Sequence, residues 1–313
     1  MRASARAAVL RCVAAQQQPA SCAHGARSCS TGSIFRDSAA NKHGLSHALD
    51  GTMRSGAHDM KVFGAGTLRA LASRSALAAF LHAHWHVYRA MEEHLDASRS
   101  ASAQGAWLRL LPTRHPAREA ADAHAHADAA WAALSPELRR APALAADVAA
   151  LRALGARCDV DAAPSPATAA YVARLRAAAL ADAAPGGPPL LLAHVYVRYF
   201  ADLFGGSMLG RPTAHALGLP AVPQFYVHPP AVSLHRRAYV ERAYGALNEA
   251  GAALGPAATQ AVVREAHDAF ACNAALYREG AGGGGAGMYA GAVLGGARVV
   301  LGTGARWLKR KLL

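Results

Sequence analysis

Residues 193–210 read Ala-His-Val-Tyr-Val-Arg-Tyr-Phe-Ala-Asp-Leu-Phe-Gly-Gly-Ser-Met-Leu-Gly, a hydrophobic pattern that runs on across an Asp and then a Gly pair. Each Gly inside a helix costs roughly 1 kcal/mol against Ala, so Gly205 and Gly206 need a reason to be there. The general reasons are a kink or the close approach of another body to the backbone. Arg198 and Asp202 are four apart, which places them on one helical face within reach of each other, directly or through water, with Tyr196 and Tyr199 flanking them. A helix bent over a flat ligand, holding a carboxylate above it, is a construction suited to handling bound oxygen.

Outward from this stretch, almost every segment from Ser46 to Glu279 reads as helix. The candidates lie near 42–57, 65–98, 115–135, 143–154, 166–182, 188–217, 232–254 and 256–279. Breaks fall where Pro and Gly cluster: Pro112, Pro116, Pro136, Pro164, Pro166, residues 185–189 and residues 220–230. The 53% hydrophobic content is carried by Ala while aromatics make only 6%, a balance that favours helix over strand. No stretch alternates as a hairpin strand does and no period repeats, so the expected fold is all-α in a single domain.

The ends differ from this body. The chain of 313 residues carries a formal charge of +13, but five Arg and no acid lie in the first 36 residues and four basic groups in the last eight. The +4 left on residues 37–305 is too little for a nucleic-acid surface by charge alone, and no nucleic-acid partner is expected. Residues 1–36, Arg-, Ser- and Ala-rich without acid, have the composition of an organelle transit peptide, with the mitochondrion preferred to the plastid. Residues 280–313 begin with a Gly-rich linker and end in an apolar, basic tail; a loose tail is the default, and a weak membrane contact through Trp307 is the alternative. Three of the five Cys lie in the N-terminal segment, and Cys158 and Cys272 have no metal-ligand spacing, so neither a disulfide scaffold nor a zinc module is supported.

The 193–210 stretch resembles the distal helix of heme oxygenases of the animal and algal type, whose pattern reads Ala-His-x-Tyr-x-Arg-Tyr-x-Gly-Asp-Leu-x-Gly-Gly. Residues 85–95, Trp-His-Val-Tyr-Arg-Ala-Met-Glu-Glu-His-Leu, are similar to that family's Tyr-His-x-Tyr-x-Ala-Leu-Glu-Glu-Glu helix. Residues 111–131 are matched to its Pro-x-x-x-x-Arg-x-x-x-Leu-x-x-Asp-Leu segment, and 166–175 and 264–277 to two further helices, so the likeness runs over roughly residues 42–279. The resemblance implies a helical bundle over residues 37–279, with heme b between a proximal and a kinked distal helix. It implies cleavage of that heme, which is both cofactor and substrate, by O2 and electrons to biliverdin, Fe2+ and CO. Electrons would come from an NADPH-dependent flavoprotein reductase or a ferredoxin, and the protein is expected to be a monomer.

Carried over residue by residue, the resemblance makes Asp202, Arg198 and Tyr88 the catalytic set: a carboxylate organising a proton-delivering water chain, an Arg fixing it, and a phenol at the network's edge. It places His58 as the proximal iron ligand, with His47 and His43 as rivals. Gly205 and Gly206 would let the helix flex over heme beside Tyr196, and Arg236 would meet a propionate. The family's second propionate Arg falls at Val240, so Arg242 or Arg237 would substitute. Phe270 and Asn273 correspond to positions near the pocket, where ordinary core packing is an equal reading. Ala201 stands where the family has Gly, a methyl group aimed at the ligand. That departure supports an alternative, a non-catalytic heme-binding relative. His82, His84 and His86, like His124 and His126, read as helix-surface histidines, because zinc needs three or four convergent ligands.

Overall fold

Proline opens three of the long helices at the position where its missing N–H costs nothing: Pro116, Pro166 and Pro256 each stand first in their helix. The computed structural model describes residues 38–57, 60–104, 116–184, 186–280, 293–297 and 299. The N-terminal segment, His58 and most of the tail lie outside the described residues. The helices, besides a single turn at Pro230–Ser233, are α1 (Gly44–Thr52), α2 (Met60–Ala70), α3 (Arg74–Gln104), α4 (Pro116–Leu138), α5 (Ala141–Ala153), α6 (Pro166–Asp182), α7 (Leu191–Val195), α8 (Ser207–Ala216), α9 (Arg236–Ala252) and α10 (Pro256–Gly280). Among the described residues there is no strand, so the all-α expectation holds.

The expected single helix over 65–98 is two. Leu71 and Ala72 turn their N–H groups back onto the carbonyls of Leu68 and Arg69 at 3.1 and 2.9 Å, ending α2. The Ser73 hydroxyl then accepts the Ala76 N–H at 3.0 Å and caps a new start. A serine amid Ala-rich sequence is an easily missed break, because propensity alone does not penalise it.

Helix α3 is the central element, packed against α5 and α6, while α9 lies on α4 and α1, and α10 on α2, α6 and α7. Leu77, Leu81, Tyr88, Met91 and Leu95 of α3 are buried in one hydrophobic cluster that extends from Leu45 to Leu276. Spacings of three, four and seven residues put them on a single face. Gly251 of α9 lies against the Leu45 side chain, which is how α1 comes so close to that helix. Buried carboxylates hold the connections: Asp147 accepts the N–H groups of Gln224 and Phe225, both at 2.7 Å, and Asp182 those of Leu190 and Leu191 at 2.6 and 3.2 Å.

Within the tail, residues 293–297 are helical and Gly295 sits against the Leu68 carbonyl of α2. No helix among the described residues is long and apolar enough to cross a membrane.

Candidate functional site

Between α7 and α8 the chain stays helical but changes its pitch. Residues Tyr196–Phe200 and Asp202–Gly206 are π-helical, with Ala201 between them. The departure from α geometry expected at the Gly pair is present in the second of these segments, and it begins earlier, at Tyr196, where there is no Gly. Such π segments add a residue to the turn and are frequent at functional sites.

From Leu191 to Phe200 every residue is buried. Beyond that the exposure becomes one-sided: Ala201 is exposed, a Cβ on Gly205 would meet nothing within 4 Å, and Met208 and Leu209 are 54% and 36% exposed. These positions recur at helical spacing, so a helix otherwise built into the core leaves an apolar stripe uncovered. Neighbouring side chains place no steric demand for Gly at 205, and the residue is small on the side where the protein has no atoms.

Asp202 lies at the edge of that stripe. The Tyr88 hydroxyl donates to its Oδ2, while Oδ1 lies 3.6 Å from where a Cβ on Gly206 would stand. Burial raises the Asp202 carboxyl above the ordinary carboxylate range, opposed by the charges of Arg140 and Arg198 and by the Tyr88 bond. Burial also holds the Tyr88 phenol well above its ordinary value, so it stays a neutral donor. Arg198 does not bond Asp202. Its Nη1 donates to the Asn273 side-chain oxygen and its guanidinium carbon lies 4.6 Å from the Tyr88 ring centre. Tyr88 is therefore the direct partner of the carboxylate rather than a group at the network's edge.

A second layer supports this one. Glu92, one turn after Tyr88 on α3, is 4% exposed and accepts from the Tyr199 hydroxyl at 2.9 Å and from the N–H groups of Arg140 and Ala141 at 2.7 and 3.2 Å. It thereby caps α5 and ties three helices together beneath Asp202. Arg140 is buried, with one donor on the Val227 carbonyl at 3.4 Å. Its charge, acting together with that of Arg236 after burial itself, holds His228 down at about 3. The Arg-x-x-x-Leu-x-x-Asp spacing assigned above to 111–131 is in fact met by Arg140, Leu144 and Asp147, and the helix that carries them is the one on Glu92.

Other expected site residues sit differently. Tyr196 is buried, its hydroxyl donating to Asp50 Oδ1 of α1 at 3.0 Å, so it joins two helices. Arg236 is half-buried and donates to the Leu203 carbonyl and, at 3.3 Å, to the Ser207 hydroxyl, which ties it to the π-helical turn. Val240 is fully buried, and Arg242 lies over the Tyr239 ring at 4.5 Å. Phe270 and Asn273 are both buried. His43 and His47 are exposed, His47 with its Nδ1 3.3 Å from the Asn41 carbonyl. The histidines read as a surface run divide: His82 and His86 are partly buried, whereas His84 is 1% exposed, within the core. His124 is also partly buried, its Nε2 2.9 Å from the Gly187 carbonyl. Reading outward from Tyr88, the spacing His84, Tyr88, Glu92 would have marked one polar row inside an apolar helix.

His194 is buried with its Nε2 2.9 Å from Glu265 Oε1, and Glu265 also takes the Arg174 guanidinium. Burial lowers the His194 pKa and outweighs that carboxylate, so the contact is a neutral N–H donating to a charged acceptor.

The model of the family described as Heme oxygenase matches residues 107–279, more than half of the chain. Heme oxygenase 1 of Pongo abelii is 36% identical over 95 residues, 29% of this chain and 32% of that protein, and heme oxygenase 1 of Homo sapiens is 35% identical over the same shares. The match therefore spans about a third of the length of these curated relatives. Among solved structures, heme oxygenase-1 of the cyanobacterium Synechocystis sp., in complex with heme, has a TM-score of 0.51 and 26% identity, over 75% of this chain and 90% of that one. Heme oxygenase-2 of the same genus, in complex with heme and NO, has a TM-score of 0.51 at 22% identity, over 75% and 84%, a likeness of fold alone.

Proposed function

The chain belongs to the heme oxygenase family, and from that premise we propose that it binds heme b and cleaves it with O2 and electrons to biliverdin, Fe2+ and CO. The observation that carries this reading is the uncovered apolar stripe of Ala201, Gly205, Met208 and Leu209 beside a half-buried, tyrosine-bonded carboxylate. A flat apolar ring fits a helix face that has no side chain at Gly205. When bound, heme supplies both the iron that activates dioxygen and the ring that is oxidised.

The chain's own contribution is placement and protons. Asp202 Oδ2 is held by Tyr88, which leaves Oδ1, on the Gly206 side, to exchange a proton with the ligand side. A carboxyl raised by burial is suited to that exchange near neutral pH. Arg198, anchored on Asn273, supplies positive charge near Asp202 without closing an ion pair that would hold the carboxylate permanently deprotonated. Glu92 and Tyr199 fix the helices that carry these groups. His58 is the proposed proximal ligand, an assignment that rests on the resemblance.

We propose further that residues 1–36 direct the chain to an organelle, that electrons come from a flavoprotein reductase or a ferredoxin, and that the protein acts as a monomer. The exposed Ala201 methyl on the same stripe favours a second reading, heme binding without turnover, because it stands where a ring would lie closest. The test is hemin titration followed by turnover with both electron donors supplied. A Soret band that weakens in His58→Ala, with biliverdin and CO formed, supports the proposal. Heme loss without biliverdin would defeat the oxygenase reading, and a stable complex that does not turn over would establish the second.

A further inference from the structure

One helical turn from the Asp202 network, α3 buries a histidine for which the functional reading has no use. His84 lies one turn before Tyr88 on α3, so the two side chains project from one face. Its Nδ1 is 2.8 Å from the Phe80 carbonyl, a contact that requires the hydrogen on Nδ1. Nε2 is then a bare lone pair. That nitrogen is enclosed and has no hydrogen-bond partner among the described residues. Burial, and after it the charge of Arg198, hold the imidazole well below its ordinary value, so it is a neutral acceptor beside a cation.

Arg198 has the complementary defect. It is 4% exposed, its Nη1 is committed to Asn273, and its Nε–H has no partner among the described residues. The guanidinium lies over the Tyr88 ring, one helical turn from His84, and enclosed donors without acceptors are rare because leaving them unmade is expensive. Two other enclosed acceptor atoms feel the Arg198 charge, the Tyr171 hydroxyl and His194 Nδ1. The Tyr171 hydroxyl can turn either to donate or to accept, and His194 Nδ1 is a bare lone pair too, but the Arg198 charge is the weakest of those acting on His194 and the strongest acting on His84. His84, in its fixed tautomer, can only accept.

We propose that His84 is a positioning residue: its Nε2 takes the Arg198 Nε–H through one enclosed water, and so sets where the guanidinium charge lies relative to Tyr88 and Asp202. Only the consequence for turnover rests on the heme oxygenase reading; the bond itself does not.

The test uses the full chain without hemin, by 1H–15N NMR. The Arg198 Nε–H signal, assigned by its disappearance in Arg198→Lys, is expected to be protected from exchange in the wild type. It should be lost in His84→Leu and restored in His84→Gln, whose side-chain carbonyl accepts in place of the imidazole. An unchanged Arg198 signal in His84→Leu overturns the proposal and assigns the Nε–H to another acceptor. Should His84→Leu fail to fold, the wild-type His84 ring spectrum decides: a neutral ring protonated on Nδ1, with Nε2 shifted by an accepted hydrogen bond, supports it. A ring protonated on Nε2 overturns it. With hemin bound, His84→Leu should keep its Soret band while the acid–alkaline transition of the ferric complex shifts, an effect that a packing role would not produce. A transition that stays put counts against His84 as a positioning residue. Absence of any Soret band in the wild type would refute the heme reading and leave the NMR result to stand on its own.

Discussion

Glu92→Ala tests whether the layer beneath Asp202 is structural. The carboxylate is 4% exposed and accepts from the Arg140 N–H at 2.7 Å, the Ala141 N–H at 3.2 Å and the Tyr199 hydroxyl at 2.9 Å, with Arg139 Nη1 at 3.8 Å. Truncation removes the acceptor for all of these at once and strips the cap from α5. A lost cap costs about 1 kcal/mol, and each buried donor left without a partner about 1–3 kcal/mol. These losses overlap, because the donors share one acceptor and single substitutions rarely exceed about 4–5 kcal/mol; we expect about 3–4 kcal/mol in total. Glu92→Gln keeps one acceptor oxygen and should cost about 1–2 kcal/mol. In urea unfolding followed by circular dichroism, with m near 2–3 kcal/mol/M, the midpoint for the Ala variant falls by about 1–2 M at unchanged m. Tyr199→Phe should be partly redundant with Glu92→Ala, so the double-mutant cycle should show coupling. A loss below about 1 kcal/mol in Glu92→Ala would refute the reasoning, since it would mean that these donors find water when the carboxylate is gone.

Gly205, in the π-helical turn, and Gly210, in α8, should respond oppositely. A Cβ on Gly210 would meet Val222 Cγ1 at 2.7 Å and Tyr226 Cβ at 2.9 Å, so Gly210→Ala should cost about 1–3 kcal/mol in thermal unfolding. Gly205→Ala meets nothing; it should leave stability unchanged or raised by up to about 1 kcal/mol while weakening hemin binding in a Soret titration. Ala201→Gly should raise the biliverdin yield per heme at a stability cost of about 0.5–1 kcal/mol, and an unchanged yield would clear the Ala201 methyl of obstruction. Burial pushes the Asp182 carboxyl up to about 7 against an ordinary 3.8, opposed by the N–H bonds from Leu190 and Leu191. Because the folded value is raised, its contribution to stability is present below about pH 4 and is lost as pH rises through about 7, up to roughly 4 kcal/mol in all. Comparing unfolding free energies at pH 4.5 and 8, the wild type should lose stability relative to Asp182→Asn, and parallel curves would refute the burial argument.

Much of the fold is legible in the residues themselves. Ala-rich runs bounded by Pro and Gly place most helices to within a few residues, because local propensity and the missing proline N–H act before any tertiary contact. The break at Leu71–Ser73 is less visible, since it depends on a hydroxyl cap that serine supplies only when the chain turns. The partners within the site are less legible still. Four-residue spacing puts Arg198 beside Asp202 only in an α-helix; π-helical turns carry an extra residue, so Arg198 reaches Asn273 and Asp202 reaches Tyr88. His84 was open to the same kind of error. A histidine among histidines reads as surface until the neighbouring helices are seen to bury that face.

The amino-acid sequence by itself determined the helical class, the separation of basic ends from a nearly balanced body, and the carboxylate on which the proposed chemistry turns, because these follow from composition and motif. Tertiary structure alone decided which donor serves that carboxylate, that Arg236 donates to the Leu203 carbonyl, and that the row of His84, Tyr88 and Glu92 is buried. The physical reason is that hydrogen-bond partners are set by helix pitch and by what packs opposite, and both are properties of the assembled bundle rather than of any one segment.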